Sequence, residues 1–356
     1  MVRRFHWLAR PIPMLAAAVT LFVIADVRGD DVNLIPGTTF KQAIGGRVKG
    51  QVQSESPSEV VVLLGNASTS VPTDQIQSIR YDGQSANFQL AEARESSGQL
   101  GEAAELFKKA ATESAGKPYP LQAALIREAE VVAELAMVEP DRVKEAKDKL
   151  TRFLQSYPAS RHLAAARAAF ARLQLHAGDF AGAEATIAEL AKLPRGAERA
   201  TVLRTKILAK QGKHDEAIAQ LDKLIAGYPK NSPQQRAASF AKAENLAGKK
   251  QFHEAESLLR EVIHANPPED SAVQAAAYNA LGDCYRAANR PKDALFAYLH
   301  TDLLYSKDKE EHPRALHQIV EIYRELKQDG RADDFALRLK QEYPRSPWTI
   351  ARTASQ

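Results

Sequence analysis

Tyr278-Asn279-Ala280-Leu281-Gly282-Asp283-Cys284-Tyr285 and, after a short turn, Lys292-Asp293-Ala294-Leu295-Phe296-Ala297-Tyr298 decide how this 356-residue chain is read. Apolar and small residues recur every three or four positions in both stretches, the spacing of a helix with one buried face. Asn289, between them, tolerates left-handed backbone and ends a helix at little strain. Two antiparallel helices follow, and Gly282 and Ala294, twelve residues apart, are small enough to let them approach closely.

Outward from this pair, an alanine recurs at 103, 146, 183, 217, 255, 294 and 332, at intervals of 43, 37, 34, 38, 39 and 38. A period near 34 to 40 predicts a mostly α chain, an α-solenoid of about seven helical hairpins over residues 83–345. Pro158, Pro229, Pro267 and Pro344 lie twelve residues after Ala146, Ala217, Ala255 and Ala332, where they end the second helix of their units. Gly98, Gly178, Gly212, Gly248, Asn289 and Gly330 mark the expected turns inside the hairpins. Residues 137–141 lengthen the second unit, which reads as a loop projecting from one edge: a tolerated insertion, with a partner contact as the alternative.

Tyr278, Leu281, Gly282, Tyr285, Ala294 and Tyr298 resemble the signature of the tetratricopeptide repeat. Ala91, Ala171 and Ala243 keep its small residue twelve positions before the alanine, while Thr205 and Val320 depart from it. The junctions Tyr157-Pro158-Ala159-Ser160, Tyr228-Pro229-Lys230-Asn231-Ser232 and Tyr343-Pro344-Arg345-Ser346 resemble those of bacterial-envelope tetratricopeptide proteins, outer-membrane assembly lipoproteins and cell-division coordinators among them. The resemblance implies a superhelix with a concave groove for a protein or peptide. It names no partner, because one repeat serves many unrelated roles.

Residues 30–82 read differently. Arg47-Val48-Lys49-Gly50-Gln51-Val52 alternates at period two, Glu59-Val60-Val61-Val62-Leu63-Leu64 is a short buried-strand run, and Gln75–Tyr81 reads as a third strand. Pro72 belongs at a strand end or an edge. The pattern resembles a small SH3-like or Sm-like module, which at this size is expected to lean on the helices that follow.

At the N-terminus, Arg3, Arg4 and Arg10 precede an uncharged run over residues 14–25, and Val27-Arg28-Gly29 offers a cleavage site near Gly29. That is the layout of a secretory signal peptide over residues 1–29, with an uncleaved anchor as the alternative. The run is short of the roughly 20 residues that span a bilayer, so the mature chain is expected to have no integral span and to be periplasmic or secreted. Cleavage removes four arginines and Asp26, leaving +1 of the +4 net charge, too little to suggest nucleic acid.

Composition narrows the function further. Charged residues at 26% and hydrophobic ones at 44% describe a globular chain, and a mean hydropathy of -0.37 excludes a multi-span membrane protein. The single cysteine, Cys284, excludes an internal disulfide or a multi-thiolate zinc site, and reads as a buried structural thiol. His312 and His317 are five apart, too divergent on a helix to share a metal. His253 and His264 read as surface residues. Ser114 with Lys117 and Ser306 with Lys309 match Ser-x-x-Lys, but both lie at expected helix ends. No catalytic, cofactor or metal constellation is recognisable.

The tetratricopeptide resemblance implies that positions fifteen, eleven and eight before each alanine line the groove. It thereby selects Phe88, Glu92 and Glu95, then Arg172 with His176, then Lys206 with Lys210 and Arg199. Phe240 with Glu244, then Asn279, Asp283 and Arg286, then His317, Glu321 and Arg324 complete the set. The middle is basic, which suits an acidic segment or a C-terminal carboxylate of a partner over Arg172, Lys206 and Lys210. The function expected is therefore an exported, non-enzymatic scaffold. The alternative is a component binding envelope polysaccharide or peptidoglycan in cell-wall or division processes. The tail over residues 346–356, with Trp348, Thr349 and Ile350, either covers the last hairpin or docks on another chain.

Overall fold

The computed structural model describes residues 29–194, 196–344 and 346–349. The expected signal segment, apart from Gly29, and Ile350 lie outside the described residues. Strands β1 (Asp30–Leu34), β2 (Arg47–Glu55), β3 (Glu59–Leu64), β4 (Ala67–Pro72) and β5 (Ile76–Arg80) form an antiparallel sheet in the order β4-β3-β2-β1-β5. Val32 stands opposite Val48 on one side and Ile79 on the other, while Val62 faces Val52 and Val60 faces Val71. All of these are buried, as β-branched side chains on the inner face of a pleat should be. A bulge between Val52 and Ser54 bends the long β2, and a short 3-10 turn, Thr73–Gln75, leads into β5. Pro72 ends β4, an edge strand. Beside the three stretches quoted above, β1 and β4 complete the sheet.

Seven helical hairpins follow among the described residues. They are α1 (Ala86–Ser96) with α2 (Leu100–Glu113), α3 (Pro118–Leu135) with α4 (Val143–Ser156), and α5 (Leu163–His176) with α6 (Phe180–Ala191). Next come α7 (Gly196–Lys210) with α8 (His214–Gly227) and α9 (Pro233–Gly248) with α10 (Phe252–Ala265). The last are α11 (Ser271–Ala287) with α12 (Pro291–Leu304) and α13 (Glu311–Glu325) with α14 (Asp329–Glu342). In every hairpin the recurring alanine is the fourth residue of the second helix and is 0% exposed. Pro158, Pro229, Pro267 and Pro344 each stand two residues beyond the end of a second helix. No helix among the described residues is long and apolar enough to cross a membrane.

The turns correct two expectations. In six hairpins the residue five before the alanine is left-handed, with φ from 56° to 76°: Gly98, Gly178, Gly212, Lys250, Asn289 and Lys327. Gly248 instead ends α9, and Gly330 lies inside α14. Phase within the hairpin, not residue type, fixes the left-handed site. Gly248 is small for another reason, since a Cβ there would come within 2.4 Å of the His214 ring. The second hairpin replaces this turn with a 3-10 segment, Pro140–Arg142, and Met137 packs back on the core rather than projecting.

The sheet and the first hairpins share one apolar core, running from Val32 and Val62 through Phe88 and Phe107 to Leu150 and Leu173. The polar seam between them is also filled. Tyr119 stacks on Tyr81 with centroids 6.5 Å apart and donates its hydroxyl to the Gln53 carbonyl at 3.0 Å. Arg161, opening the third hairpin, meets the buried Glu55 of β2 at 3.3 Å.

Candidate partner-binding surface

From the second hairpin onward the first helices α3, α5, α7, α9, α11 and α13 pack on one another in succession. Each second helix makes its main contacts with the first helix of its own hairpin and that of the next. The row of first helices is therefore the crowded, inner side of the curve. In six of the hairpins the position eleven before the alanine is the one that looks outward: Glu92, Arg172, Lys206 and Glu244 are exposed, and Asp283 and Glu321 partly so, while Leu135 in the second is buried. His176, Arg199 and Lys210 are exposed beside Arg172 and Lys206, so the middle of the surface is a basic wall.

Two of the residues fifteen before the alanine, Phe88 and Asn279, pack inward instead of lining the surface. Phe88 is 7% exposed and meets Phe107 edge-on at 5.2 Å. Asn279 is 0% exposed; its amide donates to the Glu311 carbonyl oxygen at 2.9 Å, and its own oxygen accepts from Thr301 at 3.0 Å. Phe240 is half-buried against the C-terminal core. Other selected residues are engaged within the chain. Glu95 pairs with Arg127, Arg286 with Glu325, and Arg324 with Glu321 at 3.7 Å. Burial pushes the Asp283 carboxyl above its ordinary range, although Arg314 pairs with it and Tyr298 donates to it at 2.6 Å.

The curve brings its ends together. A Cβ at Gly98, in the first hairpin's turn, would lie 3.8 Å from the Lys309 carbonyl oxygen ahead of α13. A recess of about 440 Å³ opens there, with Glu92, Glu95, Arg127 and Glu134 on one side and Lys309, Glu310 and Trp348 on the other. Burial raises the carboxyls of Glu92, Glu95, Glu134 and Glu310 above their ordinary range. Glu92, Glu134 and Glu310 are exposed residues, so it is the surrounding protein of a concave site that displaces water from their carboxylates. Trp348 lies over His317, centroids 5.4 Å apart, and Thr349 donates to the Tyr343 carbonyl at 2.7 Å. The described part of the tail thus covers the last hairpin. Sequence reasoning did not reach Arg127, Glu134 or Glu310. The second unit's longer turn puts the first two out of phase with its alanine, and Glu310 sits between repeats.

Ser114 is buried at the end of α2, and the Lys117 ammonium donates to the Gly83 carbonyl at 2.8 Å. Cys284 is buried, and burial raises its thiol. His253 and His264 are exposed. His312 is buried, with Asp302 2.9 Å from one ring nitrogen and the Tyr343 hydroxyl 2.7 Å from the other. Among the described residues no group of three or more His, Cys, Asp or Glu is placed to hold a metal ion.

Comparison with known proteins finds the same kind of repeat in part of the chain. Residues 168–232 and 240–300 match the sequence model of the tetratricopeptide repeat, which covers the third to sixth hairpins. Among solved structures, the chain is similar to a tetratricopeptide repeat protein from Parabacteroides merdae: 14% identity, 75% of this chain and 97% of that one, TM-score 0.44. It is also similar to PilW, described as a widely conserved type IV pilus biogenesis factor: 18% identity, 64% of this chain and 98% of that one, TM-score 0.39. A Rap protein complexed with Competence and Sporulation Factor is similar at 12% identity over 74% of this chain and 76% of that one, TM-score 0.45. No curated protein matches the sequence.

Proposed function

We propose that this chain is an exported, non-enzymatic scaffold of the bacterial envelope that holds a protein or peptide partner against its inner surface. The observation that carries the reading is the run of exposed cations, Arg172, His176, Arg199, Lys206 and Lys210, on the side where the first helices crowd together. An acidic segment or a C-terminal carboxylate of the partner is its electrostatic complement. The strand order β4-β3-β2-β1-β5, with the 3-10 turn before β5, supports an SH3-like reading of the N-terminal module, which adds a second contact surface.

Crosslinking in the native cell, followed by recovery of the full chain, tests this. A partner that is recovered with the unaltered protein and lost when Arg172, Lys206 and Lys210 are all changed to alanine supports the scaffold. Recovery of no partner, or of one indifferent to these substitutions, overturns it.

A further inference from the structure

We propose that the recess between the first and last hairpins receives a lysine or arginine side chain of the bound partner; this rests on the scaffold reading and adds a second contact of opposite charge. At about 440 Å³ the recess lies within the range of small-ligand sites. Leu100, Pro313 and Trp348 give it an apolar wall suited to the aliphatic stem and flat head of a basic side chain.

Its charge selects the occupant. Glu92, Glu134 and Glu310 line the recess, and both cations among its described lining residues, Arg127 and Lys309, have other contacts. Arg127 is shared between Glu95 and Glu130, and the Lys309 ammonium stands 5.3 Å from the centre of the Tyr343 ring. Burial is the main cause that raises these carboxyls; at Glu134 and Glu310 neighbouring carboxylates add to it, and an incoming cation relieves that like charge. Because the walls come from both ends of the solenoid, occupancy also ties those ends together.

The test uses the full chain with Trp7→Phe, which leaves Trp348 as the sole tryptophan. Its fluorescence is followed while acetyl-Ala-Arg-Ala-amide, or the uncharged citrulline counterpart of the same shape, is titrated in. The expected result is a saturable change with the arginine peptide and binding at least about tenfold weaker with citrulline, weakening further as salt is raised. The combined Glu92→Gln, Glu134→Gln and Glu310→Gln variant is expected to bind the arginine peptide about tenfold less well. Equal binding of the two peptides, no saturable change, or full binding by the triple variant overturns the proposal. The two readings separate cleanly. Loss of arginine-peptide binding while the crosslinked partner still depends on Arg172, Lys206 and Lys210 sinks the recess alone, and the reverse pattern sinks the scaffold alone.

Discussion

The ring of Tyr298 lies so close over Gly282 that a methyl group on the glycine would come within 2.5 Å of it. Tyr298 is fully buried and donates its hydroxyl to Asp283, so it has nowhere to withdraw. Gly282→Ala gains roughly 1 kcal/mol of helix propensity but pays an overpacking cost of about 1–3 kcal/mol. A net loss of about 1 kcal/mol is expected, read as a lower urea midpoint, and Tyr298→Phe in the same chain should not restore it because the ring itself is the obstacle.

Lys250 and Lys327 adopt the left-handed backbone that Gly98, Gly178 and Gly212 supply in other hairpins. A non-glycine residue there carries roughly 1 kcal/mol of strain. Lys250→Gly and Lys327→Gly should each raise stability by about 0.5–1 kcal/mol, and Gly178→Ala, with open space around it, should lower it by about 1 kcal/mol. Urea denaturation of the three variants gives opposite signs if backbone conformation is the cause.

Asp302 joins the last two hairpins, hydrogen-bonded by His312 at 2.9 Å and by Arg338 at 2.9 and 3.2 Å. Burial pushes its carboxyl up, but the hydrogen bonds and charges of His312 and Arg338 outweigh that and hold it below its ordinary value of 3.8. The folded state therefore binds fewer protons than the unfolded one in acid. The stabilisation is present above that pH and lost as pH falls through the lowered value. Asp302→Asn should cost roughly 2 kcal/mol at pH 7 and distinctly less at pH 3, as denaturation midpoints at the two pH values would record.

Glu55 is buried beside Arg161 and Tyr81, and burial keeps its carboxyl above the ordinary value of 4.5 despite the neighbouring guanidinium. Removing that guanidinium with Arg161→Ala leaves a buried carboxylate without its cation, at a cost of about 3 kcal/mol near pH 7. A group raised in the folded state takes up a proton as pH falls toward its folded value, so the deficit should shrink between pH 7 and pH 5. Glu55→Gln added to Arg161→Ala should abolish that pH dependence. A deficit unchanged across this range would count against the ion pair.

The hairpins were legible because their markers are local and phased. Each alanine at 103, 146, 183, 217, 255, 294 and 332 must be small where two helices cross, and each proline two residues past a helix cannot continue it. Gly248 and Gly330 misled because a glycine near a turn was taken for the turn itself. Strand β4 escaped notice because Ala67-Ser68-Thr69-Ser70-Val71-Pro72 buries only Val71 and is held by pairing with β3 rather than by its own pattern. On the inner surface, the exposure of Arg172 and Lys206 followed from the phase that the resemblance implies. Phe88 and Asn279 did not, since their direction depends on the neighbouring helix and the next hairpin. The recess was out of reach altogether: whether Gly98 meets Lys309 depends on a small rotation accumulated across seven units.

Because the valines of the sheet and the aromatic and aliphatic residues of the first hairpins form one continuous apolar body, residues 29–82 are no detachable head. During synthesis these strands emerge before the helices, yet Arg161, the partner of Glu55 in β2, does not exist until the third hairpin begins to leave the ribosome. The sheet thus waits, half-finished, for a contact more than a hundred residues downstream of Glu55 to complete it.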